Sequence, residues 1–363
     1  MASDIFELKI LTLPRPGPNA AILLATYEFT LANKLFAFNL VSLHAEHKQE
    51  EAPISSFLSF TSYLLHHAYR SSRASVYAYL NLFILRVLVE DQMMCKHVCD
   101  GENKTPVRLS RQRLPYLPLT SGDRILATVV LDILVDALNH NLRRRLDFKL
   151  YMYVNPTRDL WNLNLQGEVR LCLGVTLRII SFLSRSGTRM AYHWSELWRT
   201  LLNLLRFLTT YASDFSNNTD IRPLLDSLIN LIVLSLSNGE AFLPDAAAFD
   251  DLFYKLVESG PTLTKFRDAY SLNDDNDTSS IATLINVSHH YQDLLDGEKS
   301  RGKKNLSPRE VSNVIKKGYE TLSIRSKEGV DRWEKFREAD ERTVLKKIAR
   351  VAVEDVKKLL REG

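Results

Sequence analysis

The sequence predicts an all-α protein, built as an irregular solenoid of helical hairpins with a long C-terminal helical segment. Breakers are few, because the 363 residues include only 13 Gly and 12 Pro, and a scarcity of both favours long helices over many-turned sheets. Apolar residues recur at helical spacing nearly everywhere, without strand-like alternation between the helical segments. Composition is that of a globular protein, with 45% hydrophobic and 25% charged residues.

The individual helices are predicted from apolar periodicity and from stop signals between the periodic runs. Pro106, Pro115 and Pro118 indicate a loop at 99–121, and further loops are expected at 239–245 and 296–306. The sequence Ser307-Pro308-Arg309-Glu310 is a capping box with proline at the first helical position, and it predicts a helix start. The expected helices are 19–46, 54–70, 74–97, 122–141, 144–154, 167–185, 190–213, 221–238, 246–257, 262–271, 278–295, 308–338 and 341–361.

Stacked helical pairs explain this pattern, because each helix carries an apolar stripe that a neighbour must cover. No strict sequence period near 40 residues is present, so the repeats are expected to be irregular. We expect residues 1–298 to form the helical repeat domain. Residues 299–363 are expected to form a basic linker followed by C-terminal helices that pack on or cap the solenoid.

Charge is distributed unevenly between these two parts. Residues 299–363 carry 19 Lys/Arg and 11 Asp/Glu, a net charge of +8, whereas the remainder has 28 and 32, a net charge of −4. A basic tail of this kind suits an acidic membrane surface or an acidic protein partner. A solvated helix face with mixed charges is the alternative that the sequence leaves open.

Several classes of protein are disfavoured. A secretory signal peptide is not expected, because Asp4 and Glu7 occupy positions where such a signal needs apolar residues. No run reaches the roughly 20 mostly apolar residues of a membrane span, so the apolar runs are interpreted as buried core helices. Cys95, Cys99 and Cys172 make no disulfide framework, and His97 points away from the face that Cys95 and Cys99 share, so no metal site is expected.

The stretch SGTRMAYHWSELWRTLLNLLRFL, residues 186–208, holds the strongest candidate for a functional surface. Trp194 and Trp198 lie one helical turn apart, and the simpler interpretation is that both are core anchors between hairpins. The functional interpretation is partner binding, because Trp and Arg are enriched in interface hot spots. The candidate partner-binding residues are Arg185, Arg189, His193, Trp194 and Trp198.

No catalytic signature is present: the sequence has no nucleophile elbow, dinucleotide-binding turn or kinase motif set. We therefore expect a protein that is not an enzyme, without catalytic residues, cofactor or metal. Two alternatives stay open. The basic tail and the run Arg143-Arg144-Arg145 would suit a nucleic-acid-binding helical repeat, although the acidic balance of residues 1–298 argues against it. An unrecognised enzyme would show a pocket that gathers titratable groups with perturbed pKa values.

The chain resembles the armadillo-like helical domain-containing proteins of the Golgi, in their C-terminal region. The resemblance is carried by the pattern Y-x-W-x-E-L-W-x-x-L-x-N-L-L-x-F-L at Tyr192–Leu208 and by SFLSFTSYLL and LVEDQ earlier in the chain. It continues in Tyr319-Glu320-Thr321-Leu322 and Gly329-Val330-Asp331, and in a G-x-x-F-L-P segment represented by Gly239, Phe242, Leu243, Pro244, Phe249, Leu252 and Tyr254.

The resemblance implies an armadillo/HEAT-like solenoid that acts as a non-catalytic scaffold or effector. It further implies a cytoplasmic location with peripheral attachment to the Golgi membrane, and partners among the Arf-family small GTPases. A type III phosphatidylinositol 4-kinase would be recruited or activated through the longer protein, in support of Golgi maintenance, vesicle trafficking and secretion. No nucleic acid partner is expected.

Overall fold

The structure is a computed structural model that describes residues 16–44, 51–68, 71–110, 122–152, 162–215, 221–272, 279–300 and 335–362, together with 310, 313–314 and 318. Within these ranges the protein is all-α apart from two short strands, which confirms the predicted fold class. A 3-10 turn at Pro18–Ala21 precedes the first α-helix. The elements are α1 Ile22–Ala32, α2 Lys34–Ser42, α3 Pro53–His67, α4 Ser72–Glu90, α5 Gln92–Cys99, β1 Lys104–Pro106, β2 Asp123–Ile125, α6 Leu126–Met152, α7 Asn162–Ser186, α8 Trp194–Thr210, α9 Ala212–Phe215, α10 Ile221–Phe242, α11 Ala246–Glu258, α12 Gly260–Ala269, α13 Ser280–Ser300 and α14 Arg342–Glu362.

The helices stack along the chain as predicted for a solenoid. Helix α4 packs between α1 and α7, α7 packs on α6 and α10, and α10 packs on α13. Helix α8 lies against α6 on one side and against α11 and α12 on the other. The interior is one continuous apolar cluster of buried leucines, isoleucines, valines and aromatic residues that runs from Ala20 to Ala352. Each helix is therefore held chiefly by burial of its apolar stripe against its neighbours.

Two predicted helices were wrong because polar caps interrupt them. The helix predicted at 19–46 breaks at Asn33, whose side chain accepts the amides of Leu35 and Phe36 and starts α2 at an angle of 115° to the preceding helix. The helix predicted at 74–97 breaks at Asp91, whose carboxylate accepts the amides of Met93 and Met94. A side chain that satisfies the orphan amides of a new helix start makes such a break favourable.

Other predicted boundaries also moved. The helices predicted at 122–141 and 144–154 are one helix, α6, and residues 123–125 form a strand where a helix start was expected. The loops predicted at 239–245 and 296–306 are partly helical, because α10 runs through to Phe242 and α13 through to Ser300. Residues 335–337 have no regular secondary structure and residues 338–341 form a 3-10 turn, so the predicted helix 308–338 does not reach its expected end. The capping box at 307–310 lies outside the described residues except for Glu310, which is helical.

The two strands form a small antiparallel ladder that the sequence analysis missed. Lys104 pairs with Ile125, Thr105 with Arg124, and Pro106 with Asp123. Proline donates nothing to a ladder and is confined to strand ends and edges. The ladder fixes Arg124 immediately before α6, where its guanidinium pairs with Asp132.

Candidate functional site

The loop between α7 and α8 has a defined backbone. Helix α7 ends at Ser186, and the following Gly187 adopts a left-handed conformation with φ of 62°. The amide of Thr188 donates to the carbonyl of Leu183 at 3.0 Å, and the amide of Gly187 donates to that of Ser184 at 3.3 Å. This is the Schellman arrangement, in which glycine at the first position beyond the helix avoids the penalty of a positive φ. The chain therefore leaves α7 in a fixed direction.

The far end of the loop is tied to two other helices. Met190 is buried, and its amide donates to the carbonyl of Phe242 at the end of α10 at 3.0 Å. The indole N–H of Trp194 donates to the carbonyl of Met190, also at 3.0 Å. Both bonds hold the backbone of the loop against the core, so the loop presents a preformed surface.

A buried ionic cluster lies beneath the loop. Asp132 of α6 is fully buried and pairs with the guanidinium of Arg124 from β2. The Nε2 atom of His193 lies 2.8 Å from Oδ1 of the same carboxylate. Burial raises the pKa of the neighbouring Tyr192 well above its usual value, and the Asp132 charge adds to the shift. A buried carboxylate with an arginine partner fixes the side chains around it, because separating the charges would leave one unpaired away from water.

The five predicted site residues divide into two groups. Arg185 is exposed in the last turn of α7, Arg189 is exposed on the loop, and His193 is partly exposed beside Asp132. Trp194 and Trp198 are each only 1% exposed. Their rings stack with centroids 5.5 Å apart, and Phe242 meets Trp194 edge-on at 5.1 Å. The tryptophans are thus core anchors, as the simpler interpretation had it, and not direct contacts for a partner.

A second set of charged residues fastens the C-terminal segment to the stack. This set was not predicted from the sequence. Glu90 at the end of α4 accepts the amide of Phe336 at 2.9 Å and 3.1 Å and pairs with the buried Arg178 at 2.7 Å. Glu341 pairs with Arg170 at 2.6 Å. The available signal was the placement of charged residues such as Arg178 within apolar stripes, where a charge needs a partner.

The last helix is fastened in the same way. Asp355 of α14 is buried, and its carboxylate lies 2.8 Å from the guanidinium of Arg73. The hydroxyl of Tyr77 donates a hydrogen bond to the same carboxylate at 2.8 Å. Helix α14 consequently packs on the 3-10 turn at Pro18–Ala21, on α1 and on α4. The C-terminal helix thus returns to the N-terminal end of the described chain.

Among the described residues, exposed large apolar side chains form groups of three or more in two places. One is the bent pair α1 and α2, where Ile22, Phe29, Leu31, Leu35, Phe38 and Leu43 face solvent. The other is α14, where Val353, Val356 and Leu360 do so. By length and composition, α4 is a candidate membrane span in the described ranges, as is the α1–α2 pair if counted as one bent span. The most apolar window of α4 is 78% buried inside the protein, as in the core helix of a globular stack.

The three cysteines are buried free thiols. The hydrogen bond that links Cys95 and Cys99, together with burial, raises the pKa of the Cys99 thiol well above its usual value. His97 lies beside Asn103, at 3.0 Å between Nδ1 and the amide nitrogen, and does not join the thiols. Arg143, Arg144 and Arg145 lie on α6, but their side chains are outside the described ones, so the nucleic-acid alternative gains nothing from them.

Comparison with known proteins turns this architecture into a family assignment. The model of the family described as "Armadillo-like helical domain-containing protein 3, C-terminal" matches residues 161–358, more than half of the chain. The chain belongs to this family. Relatives include a Schizosaccharomyces pombe protein named a UPF0588 membrane protein, 26% identical over 92% of this chain and 51% of its own length. The Armadillo-like helical domain-containing protein 3 of Xenopus laevis is 22% identical over 94% of this chain and 54% of its own length, and the human protein of that name is 22% identical over 71% and 37%.

The chain spans about half the length, or less, of the curated relatives it matches. No solved structure matches it. Among the described residues of the family match, most of the motif residues that carried the resemblance are core residues, including Trp194, Trp198, Phe242 and Leu252. The resemblance therefore reflects the packing of this helical stack and assigns no role to the exposed residues.

Proposed function

We propose that the chain is a scaffold and effector module without catalytic activity, which works at Golgi membranes and binds an Arf-family small GTPase. Family membership and the all-α stack support the scaffold. The observation that carries the GTPase contact is the preformed loop between α7 and α8, where Arg189 on the loop and Arg185 in the last turn of α7 are exposed. A loop whose backbone is already fixed loses little conformational entropy when a partner binds.

The chemistry of the loop suits a protein partner. Arginine is a frequent hot-spot residue because its planar guanidinium can donate several hydrogen bonds and stack on apolar surface at once. His193, the residue before α8, is also partly exposed. We assign the recruitment or activation of a phosphatidylinositol 4-kinase to the longer protein, since the chain covers about half of its relatives. Through these contacts, the proposed scaffold would support Golgi maintenance, vesicle trafficking and secretion.

A pull-down with the purified chain tests the GTPase contact. Arf-family GTPases are loaded with GDP or with a non-hydrolysable GTP analogue, and binding is expected in the GTP state. Arg189→Glu should weaken that binding by about thirtyfold or more if the side chain is a hot spot. The matched control is Arg206→Glu, an exposed arginine on α8, and it should bind as the unaltered chain does.

Binding that is absent in both nucleotide states for every GTPase tested would contradict the proposal. So would equal losses for Arg189→Glu and Arg206→Glu, because a general charge effect would then explain the result. Thermal melts of both variants are expected to match the unaltered chain, since both side chains are exposed.

A further inference from the structure

Helix α14 is amphipathic in an unusual way, because its outward side is divided into an apolar strip and a basic strip. The inward side holds Ile348, Ala352 and Asp355, all buried against the N-terminal helices. Asp355 fixes the rotation of the helix through its contacts with Arg73 and Tyr77. At 100° per residue, the apolar side chains at 353, 356 and 360 then share one outward strip.

The apolar strip is well exposed. Val353 is 49% exposed, Val356 is 44% exposed and Leu360 is 79% exposed. Three such side chains on one face of a helix amount to more than the isolated apolar residue that any surface shows. Solvent exposure of this strip costs free energy, and an apolar environment beside the helix would remove that cost.

The basic strip runs beside it. Lys346, Arg350, Lys357 and Arg361 are exposed at positions that follow the apolar strip around the helix. The whole of α14 carries seven Lys/Arg and three Asp/Glu, and of those acidic residues Asp355 is buried inward and Glu354 is paired with Lys357. The outward side is therefore strongly positive next to an apolar edge.

We infer that the outward side of α14 binds an anionic bilayer surface. The apolar strip would enter the boundary between head groups and acyl chains, and the basic strip would contact anionic head groups, which is the chemistry of interfacial helices. The α1–α2 surface does not have this charge pattern, because Lys34 is its one basic residue and it pairs with Asp91. The inference deepens the proposed peripheral membrane attachment and rests on it.

The core supports the same choice of occupant. A relative is named a membrane protein, whereas the apolar helix α4 is mostly buried inside this stack. Among the described residues, α4 is therefore not available to a bilayer, and membrane contact would be made by side chains on the outer surface of the stack. The fastening of α14 at Glu341 and Asp355 presents its outward side without unfolding the stack.

Vesicle co-sedimentation of the full chain tests the inference. Vesicles of phosphatidylcholine with added phosphatidylserine are expected to bind the chain, and vesicles of phosphatidylcholine alone to bind it much more weakly. Each basic residue near an anionic surface contributes roughly a fivefold gain in affinity. Arg350→Gln combined with Arg361→Gln should therefore weaken binding by roughly twenty-five-fold, and salt should weaken binding of the unaltered chain.

Matched controls separate the face from general charge. Arg206→Gln combined with Lys265→Gln removes the same charge from exposed sites on α8 and α12, and this variant should bind fully. Val356→Ser combined with Leu360→Ser should also weaken binding. Equal vesicle binding by all variants would overturn the inference, as would no binding by the unaltered chain. Loss of a dimer in light scattering on the apolar variant, without vesicle binding, would instead assign the face to a second copy of the chain.

A second measurement does not depend on loss of binding. The three native cysteines are buried, so an environment-sensitive dye can be placed on Leu360→Cys. Its emission should shift to the blue when phosphatidylserine vesicles are added, while the same dye on Tyr254→Cys of α11 should not respond. An unchanged Leu360→Cys signal would contradict the inference. If vesicle binding fails but the GTPase pull-down in lipid-free solution succeeds, only the membrane face falls; the reverse result removes only the GTPase contact.

Discussion

Replacing Trp198 with alanine tests whether the stacked pair Trp194 and Trp198 is a core anchor. The ring is 1% exposed and stacks on Trp194 at 5.5 Å. A buried aromatic side chain removes about 150–250 Å² from water, which at about 25 cal/mol per Å² corresponds to roughly 4–6 kcal/mol. Because alanine keeps the β-carbon and the neighbours relax in part, the expected loss of stability is about 3–5 kcal/mol.

The two tryptophans are expected to differ when each is replaced by phenylalanine. The indole N–H of Trp194 donates to the carbonyl of Met190 at 3.0 Å, whereas that of Trp198 finds no acceptor among the described residues. Trp194→Phe therefore leaves a buried carbonyl without its partner and should cost about 1–3 kcal/mol more than Trp198→Phe.

Urea unfolding followed by circular dichroism measures these losses, with Tyr254→Ala as the control. Tyr254 is 43% exposed, and its replacement should change the free energy of unfolding by no more than about 0.5 kcal/mol. A Trp198→Ala variant that melts like the unaltered chain, yet loses GTPase binding, would refute the reasoning and make the ring a surface anchor.

Asp355→Asn should loosen α14, because Arg73 would lose its buried counter-charge at 2.8 Å; hydrogen exchange should rise across residues 342–362 and stay unchanged in α8. Gly239→Ala should cost about 1–3 kcal/mol in urea unfolding, because a β-carbon there would lie 2.5 Å from the Phe249 ring. Tyr270, whose pKa burial raises to about 12, contributes stability that is present below its unfolded pKa of about 10 and is lost as pH rises from there to about 12, so Tyr270→Phe should flatten that part of the stability curve.

Each of these predictions has a discriminating comparison. Glu354→Gln removes an exposed charge from α14 and should leave its exchange unchanged; an equal rise would show that any charge loss loosens the helix. Gly101→Ala adds a β-carbon where no atom lies within 4 Å, and a similar cost there would refute the packing argument. For Tyr270→Phe, an unaltered alkaline stability curve would contradict the assigned shift.

The helical class and the core were predictable from the sequence, because apolar periodicity survives irregular repeats. The 246–257 helix is an example: the sequence places apolar residues at helical spacing, and Asp245 caps the observed α11 through the amide of Ala248. Breaks within long periodic runs were not predicted, since Asn33 and Asp91 act through side-chain hydrogen bonds to the backbone that periodicity does not report.

The candidate site was predictable in part. Clustering of arginine and tryptophan identified the segment 185–198, but side-chain exposure decides between a core anchor and a partner contact, and only the packed structure provides that exposure. Asp132 was missed because His193 lies far along the chain from it, and because its nearer partner Arg124 comes from the strand β2, which was not predicted. Long-range ion pairs of this kind leave no local pattern.

Hydrogen exchange on the purified chain, with and without a GTP-loaded Arf-family GTPase, tests the central claim most directly. The account predicts protection of the amides at 185–193 in the GTP state, while the buried helices α4, α7 and α10 keep the same exchange. The account would be contradicted if the amides at 185–193 were protected in neither nucleotide state, or if protection appeared only on other helices.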